Sequence, residues 1–89
     1  MTPHPLPARL DTAAAPALAT VLSARIAAGE PIALDGSAVE MLGQACLQVL
    51  ASACRTAEAR GLTFVVRGPS HALSEMCTLV GFDRLLAAA

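Results

Sequence analysis

Residues 62–66 read LTFVV, a run without charge that follows Gly61 and is closed by Arg67 and the breaker Gly68-Pro69. Such β-branched and aromatic residues suit a pleated surface, and an uncharged run of this kind predicts a strand covered on both faces. A chain with such a strand must also supply apolar helix surface to cover it. The same rhythm appears upstream, where PIALDGS predicts a buried strand over about 32–34 that leaves through a turn at Asp35-Gly36-Ser37. Strands that alternate with helices need crossover connections, and these make the sheet largely parallel.

The segments between the strands carry helical periodicity. Asp11 or Thr12 offers an N-cap, Pro16 fits the first turn, and Ala15, Leu18, Ala19, Leu22 and Ile26 follow at helical spacing before Gly29. The second helix is the clearest element. Leu42, Ala45, Cys46, Val49, Leu50, Ala53 and Ala57 form one broad stripe, with Gln44, Gln48, Arg55 and Glu58 mostly off it, and Gly61 ends it. Ser70 caps a third helix with Leu73, Met76, Cys77 and Val80 on one face, ending at Gly81, and FDRLL predicts a further short helix or turn. Pro3, Pro5 and Pro7 exclude a central strand from the N-terminal segment and leave room for a short edge strand near Leu6–Leu10. The expectation is one α/β domain over residues 1–89, with residues 1–5 and 87–89 frayed.

Composition excludes several function classes. Net charge is −1, and the six Arg residues are scattered at 9, 25, 55, 60, 67 and 84, with no Lys, Trp or Tyr. There is no basic stripe to release counterions from a phosphate backbone and no aromatic platform to stack bases, so no nucleic-acid partner is expected. The three cysteines, 46, 54 and 77, form no CxxC pair, which argues against a disulfide framework or a zinc site. The glycines form no phosphate-cradling loop, and no cofactor is implied. The N-terminus lacks the pattern of a signal peptide, and no apolar run reaches the roughly 18–20 residues that span a membrane. A soluble, cytoplasmic protein without direct membrane insertion is expected.

Residues 43–48, GQACLQ, stand where a turn gives way to the second helix. They offer no acid, no hydroxyl and no base, only the thiol of Cys46. A thiol near a helix N-terminus can have a lowered pKa, but a place on the apolar stripe predicts a buried, inert group. His4 lies in the Pro-rich terminus and His71 in the first turn of the third helix, each without a catalytic partner in view. Asp35 and Glu40 read as a turn-capping carboxylate and an exposed one rather than as a catalytic pair. The residues therefore point away from catalysis.

The segment LDGSAVEMLGQACLQVL resembles the central motif of STAS domains, the sulfate-transporter and anti-sigma-factor-antagonist family. That motif runs Asp-Leu-Ser-x-Val, then variable residues ending in an acid, then Ser/Thr-Gly-Leu and an apolar helix. Asp35, Ser37 and Val39 match its first part, and Leu42, Leu47 and Leu50 continue it in phase. LPARLD, LTFVVRGPS and LVGFDRLL resemble the family's first-helix start, the strand and turn after its second helix, and its closing segment.

The resemblance implies a small STAS-like α/β fold of about four mostly parallel strands, with helices packed mainly on one face. It also implies a non-enzymatic module that binds a protein partner, a kinase or another signalling protein, through the start of the second helix. Met41, Gly43, Gln44, Ala45 and Gln48 would form that patch. In phospho-switched members a Ser there accepts phosphate. Here Gly43 stands in place of the motif acid, and Ala45 occupies the lost phosphosite. The Leu-Gly-x-x-Cys-Leu-Gln-Val-Leu pattern resembles small STAS proteins linked to bacterial chemotaxis and histidine-kinase systems. The alternatives are a soluble STAS subunit of a lipid-transport ABC ATPase complex and, of another class, a thiol enzyme using Cys46.

Overall fold

The computed structural model describes residues 3–79. The expected helix end at Val80–Gly81, the FDRLL segment and the tail at 87–89 lie outside the described residues.

Among the described residues, five short strands and three helices follow one another. The strands are β1 (His4–Pro5), β2 (Arg9–Leu10), β3 (Ile32–Asp35), β4 (Met41–Leu42) and β5 (Phe64–Arg67). The helices are α1 (Ala15–Ala27), α2 (Gln44–Ala59) and α3 (His71–Leu79), with a 3-10 turn at Thr12–Ala14 leading into α1. Every strand pairing among the described residues is parallel, as the alternation of strands and helices requires.

The expected single sheet of about four strands is divided. β1, β3 and β5 form one sheet in that order, and β2 pairs with β4 in a second. The reason lies in the N-terminal prolines. Pro5 and Pro7 have no amide proton, so a continuous strand over 4–10 cannot make a full ladder. The segment instead joins two sheets in turn. Leu6 donates its N–H to the Asp35 carbonyl at 2.9 Å, and two residues after Pro7 the chain pairs with β4. His4 and Pro5, expected to fray, are held as an edge strand against Leu34 and Asp35.

The register explains which side of the sheet is dry. Ile32 lies beside Phe64 and Leu34 beside Val66, so these four share a face. Ile32, Leu34 and Val66 are buried, and Phe64 packs against the same core. Leu18, Leu22 and Ile26 of α1, Leu50, Ala53 and Ala57 of α2, and Leu73 and Cys77 of α3 belong to that core. The opposite face carries Ala33 and Val65, both half-buried, and exposed Arg67. Helices thus cover mainly one face, and the expectation that LTFVV is covered on both is corrected. β5 pairs with β3 along one edge among the described residues, and within it Val66 alone is fully buried.

Local chemistry sets the helix ends. The Asp11 carboxylate accepts the Ala14 N–H at 3.1 Å and caps the 3-10 turn, while Pro16 sits in the first turn of α1. Both α1 and α2 close in the same way. Gly29 (φ 72°) and Gly61 (φ 71°) take up the left-handed conformation. The following residues then reach back, Glu30 to the Arg25 carbonyl at 3.0 Å and Leu62 to that of Ala57 at 2.8 Å. This is the Schellman geometry, in which glycine avoids the Cβ clash.

Gly36 is the most tightly enclosed of the described glycines. Its N–H donates to the Arg67 carbonyl at 3.0 Å, and its own carbonyl accepts the Ser70 N–H at 3.0 Å. A Cβ built on Gly36 falls 2.5 Å from Leu73 Cδ2 and 3.0 Å from Val66 Cγ1. The turn after β3 is therefore pressed onto the turn after β5, with no room for a side chain.

Two stability outcomes follow. Gly36→Ala should cost about 1–3 kcal/mol by overpacking, measured by urea denaturation, and in a Leu73→Ala background the same substitution should cost less, because the clashing side chain is gone. A Gly36→Ala protein as stable as the parent would show that the two turns separate freely. Val66→Asp should prevent cooperative folding, because it buries an unpaired charge. Val65→Asp, on the outer face, should still fold. Equal melting curves for the two Asp variants would contradict the assigned faces.

Candidate functional site

The start of α2 is assembled from the second sheet. Glu40 and Met41 both donate their N–H groups to the Ala8 carbonyl, at 2.8 and 3.1 Å, and Gly43 donates to Leu10 at 2.8 Å. Leu42, expected on the helical stripe, belongs instead to β4, where it pairs with Leu10 and is 5% exposed. The ladder ends at Gly43, which becomes the N-cap of α2. Its backbone is extended (φ −84°, ψ 166°), and no side chain caps the helix. A Cβ at this position would lie 3.3 Å from the Leu10 carbonyl oxygen, so the place of the motif acid is also tight.

The predicted patch residues fall into two groups. Met41, Gln44 and Gln48 are exposed, whereas Gly43 and Ala45 are half-buried. Gln44 and Gln48 are one turn apart and share a helix face. The Met41 methyl lies 3.9 Å from where a Gly43 Cβ would be, so Met41 borders the same helix start. The surface is apolar at Met41 and Ala45 and carries neutral amides at positions 44 and 48. It contains no titratable group. Gln48 also borders a groove of about 420 Å³ between α1 and α2.

Cys46 points inward and is fully buried. Its Sγ–H donates to the Asp11 carbonyl at 3.2 Å, which ties α2 to the entry of α1. Burial pushes the thiol pKa up, and the nearby Asp11 carboxylate pushes it further. The helix N-terminus therefore does not activate it, and a thiolate mechanism at Cys46 has no support in this geometry. Sequence reasoning identified Asp11 as a cap but missed its second task of accepting from Cys46.

The other candidates separate in the same way. Asp35 Oδ1 accepts from the Ser37 N–H at 2.9 Å and from the Ser37 hydroxyl at 2.7 Å. These bonds, the backbone one first, hold the Asp35 carboxyl below the usual range. Asp35 thus shapes the turn with Ser37 rather than pairing with Glu40, which anchors the second sheet through its backbone. His71 meets Glu75 at 3.1 Å one turn along α3, with both side chains exposed, and half-buried His4 lies in β1. Among the described residues no group of three or more His, Cys, Asp or Glu side chains could hold a metal ion, and no helix is long and apolar enough to cross a membrane.

Cys46→Ala should cost about 1–2 kcal/mol in denaturant titration, from lost burial and a small cavity. Alkylation of Cys46 should require unfolding, as read by mass spectrometry with and without denaturant. Because the folded thiol holds its proton to higher pH than the unfolded one, its contribution to stability should be intact below the ordinary thiol pKa. That contribution should fall as pH rises through the raised value. Rapid alkylation of the native protein at neutral pH would refute the sealed position.

A family model described as "Mlab, STAS domain" matches residues 6–87. No curated protein and no solved structure matches the chain. The matched span takes in every element from β2 to α3, including the start of α2, and covers nearly the whole sequence. The chain belongs to the STAS domain family.

Proposed function

We propose that this chain is a non-enzymatic STAS protein-interaction module in bacterial signal transduction, anti-sigma-factor-antagonist-like but without the phosphoacceptor. It works in the cytoplasm, in a chemotaxis or histidine-kinase system, and its partner is a kinase or another signalling protein. The observation that carries this reading is the start of α2. Met41, Gln44 and Gln48 face solvent there, while the neighbouring nucleophile, Cys46, is sealed below. Such a surface can be recognised by shape and hydrogen bonding, but it offers a partner no group to modify. Ala45 has no hydroxyl, so control by phosphate at this position is lost. A phosphoryl group would have brought roughly two negative charges to the contact.

A second reading is a soluble STAS subunit of a lipid-transport ABC ATPase complex. The matched family description, which names Mlab rather than an anti-sigma-factor antagonist, favours it. Both readings use the same exposed helix start and differ in the partner.

The deciding experiment captures partners from native cytoplasm with the parent protein and with Gln44→Arg. Gln44→Arg should leave thermal unfolding unchanged, because Gln44 is exposed, and should reduce partner recovery by about tenfold or more. Recovery of a signalling kinase supports the first reading, and recovery of an ATPase subunit supports the second. Undiminished recovery with Gln44→Arg, or phosphate on residues 43–48 after kinase treatment, would remove the patch from the molecule's function.

A further inference from the structure

The groove between α1 and α2 has a construction of its own. Its floor is apolar: Leu22 and Ile26 come from α1, and Val49 and Ala53 from α2. Its rim is small and hydroxyl-bearing, with Ser23 on one side and Ser52 and Thr56 on the other. The rim residues are exposed, while Leu22, Ile26 and Ala53 are buried beneath them. The α2 rim runs from Gln48 to Arg60, about 18 Å at the rise of an α-helix. This makes a trough open along its length, between two helices whose facing rims are too short to fill it.

Charge is distributed unevenly along the trough. Among the described residues Arg60 is the one charged residue that lines it, at the far end from Gln48, and no carboxylate does. The ion pairs seen among the described residues are Arg9 with Asp11 and His71 with Glu75, so the Arg60 guanidinium is not held by either. Arg60 also sits at the C-cap of α2, where a cation is favoured by the helix dipole, and this alone would account for its presence. The dipole does not account for an apolar trough that leads to it.

We propose that this groove receives an amphipathic helix of a protein partner, laid along α1 and α2 with its apolar face on Leu22, Ile26, Val49 and Ala53 and an acidic side chain on Arg60. Short rims let a helix backbone come close, and the length accommodates about three turns, enough for anchors at i, i+3 or i+4, and i+7. A guanidinium that pairs with no acid among the described residues selects a carboxylate as its complement, and Arg binds carboxylates in a bidentate fork. The proposal rests on the reading of the chain as an interaction module. It extends the contact from the start of α2, through Gln48, along the length of the helix.

The test places a benzophenone amino acid at position 52 in one protein and at position 44 in another, each produced in its native cells, and maps the cross-linked segments by mass spectrometry. From Ser52 the expected product joins a partner segment with apolar residues at helical spacing and an acidic residue at one end. Arg60→Glu should lower that yield about tenfold, Arg60→Lys should largely keep it, and replacing the partner's acid with Arg should restore it to the Arg60→Glu protein. Melting curves check that the variants fold, and Arg60→Gln replaces Arg60→Glu if the reversed charge unfolds the helix end. Cross-links from position 44 but none from 52, or a yield indifferent to Arg60, overturn the helix proposal and leave the patch standing. Cross-links from 52 alone remove the patch and keep the groove. A second copy of this chain as the only product from 52 overturns the proposal, and no product from either position overturns both readings.

Discussion

The fold depends on the contact at Gly36. Two crossover units, β3 with its following turn and β5 with its own, meet where Gly36 donates to Arg67 and accepts from Ser70. That pair of bonds fixes where β5 ends and where α3 begins. Ser70 in turn caps α3 by accepting the Leu73 N–H at 3.1 Å, and Leu73 lies against the space that a Gly36 side chain would need. Backbone bonding, helix initiation and core packing therefore converge on one position that has no side chain. A protein of 89 residues has a modest core, so such close approach between backbones does work that larger side chains would do elsewhere.

Small residues have the same effect between the helices. Ala53 and Ala57 of α2 are buried, and Ala57 is wholly inaccessible. They let α1 and α2 lie close on one face of the sheet, with Leu18, Leu22, Leu50 and Ile26 filling the remaining volume. The abundance of alanine thus has a structural role here beyond helix propensity.

Much of this was legible in the sequence because it follows from local rules. Helical spacing located α1 and α2, glycine located their ends, and Ser70 located the start of α3. The apolar stripe placed Cys46 in the core. What was not legible depends on pairing between distant segments. Leu42 has the phase of the α2 stripe, but it lies in register with Leu10, thirty-two residues away, whose carbonyl accepts the Gly43 N–H, and that pairing decides in favour of a strand. LTFVV lacks charge on both faces, yet its register against β3 assigns Phe64 and Val66 to the core and leaves Val65 outside. Gly36 resembles any turn glycine until Leu73 and Val66 are seen against it. At the candidate site, exposure of Gln44 and Gln48 followed from periodicity, whereas the trough to Arg60 needed two helices placed side by side.

The helix start has one further consequence. Its position is set by main-chain bonds, from Glu40 and Met41 to Ala8 and from Gly43 to Leu10, and by the buried side chains of Leu10 and Leu42. The side chains displayed outward at Met41, Gln44 and Gln48 take no part in holding it there. The fold is thereby held by main-chain atoms and buried side chains, and the outward side chains of the same few residues are left out of that work. Under the role proposed above, a lineage carrying this domain could exchange the displayed side chains, and with them its partners, without reopening the problem of how the chain folds.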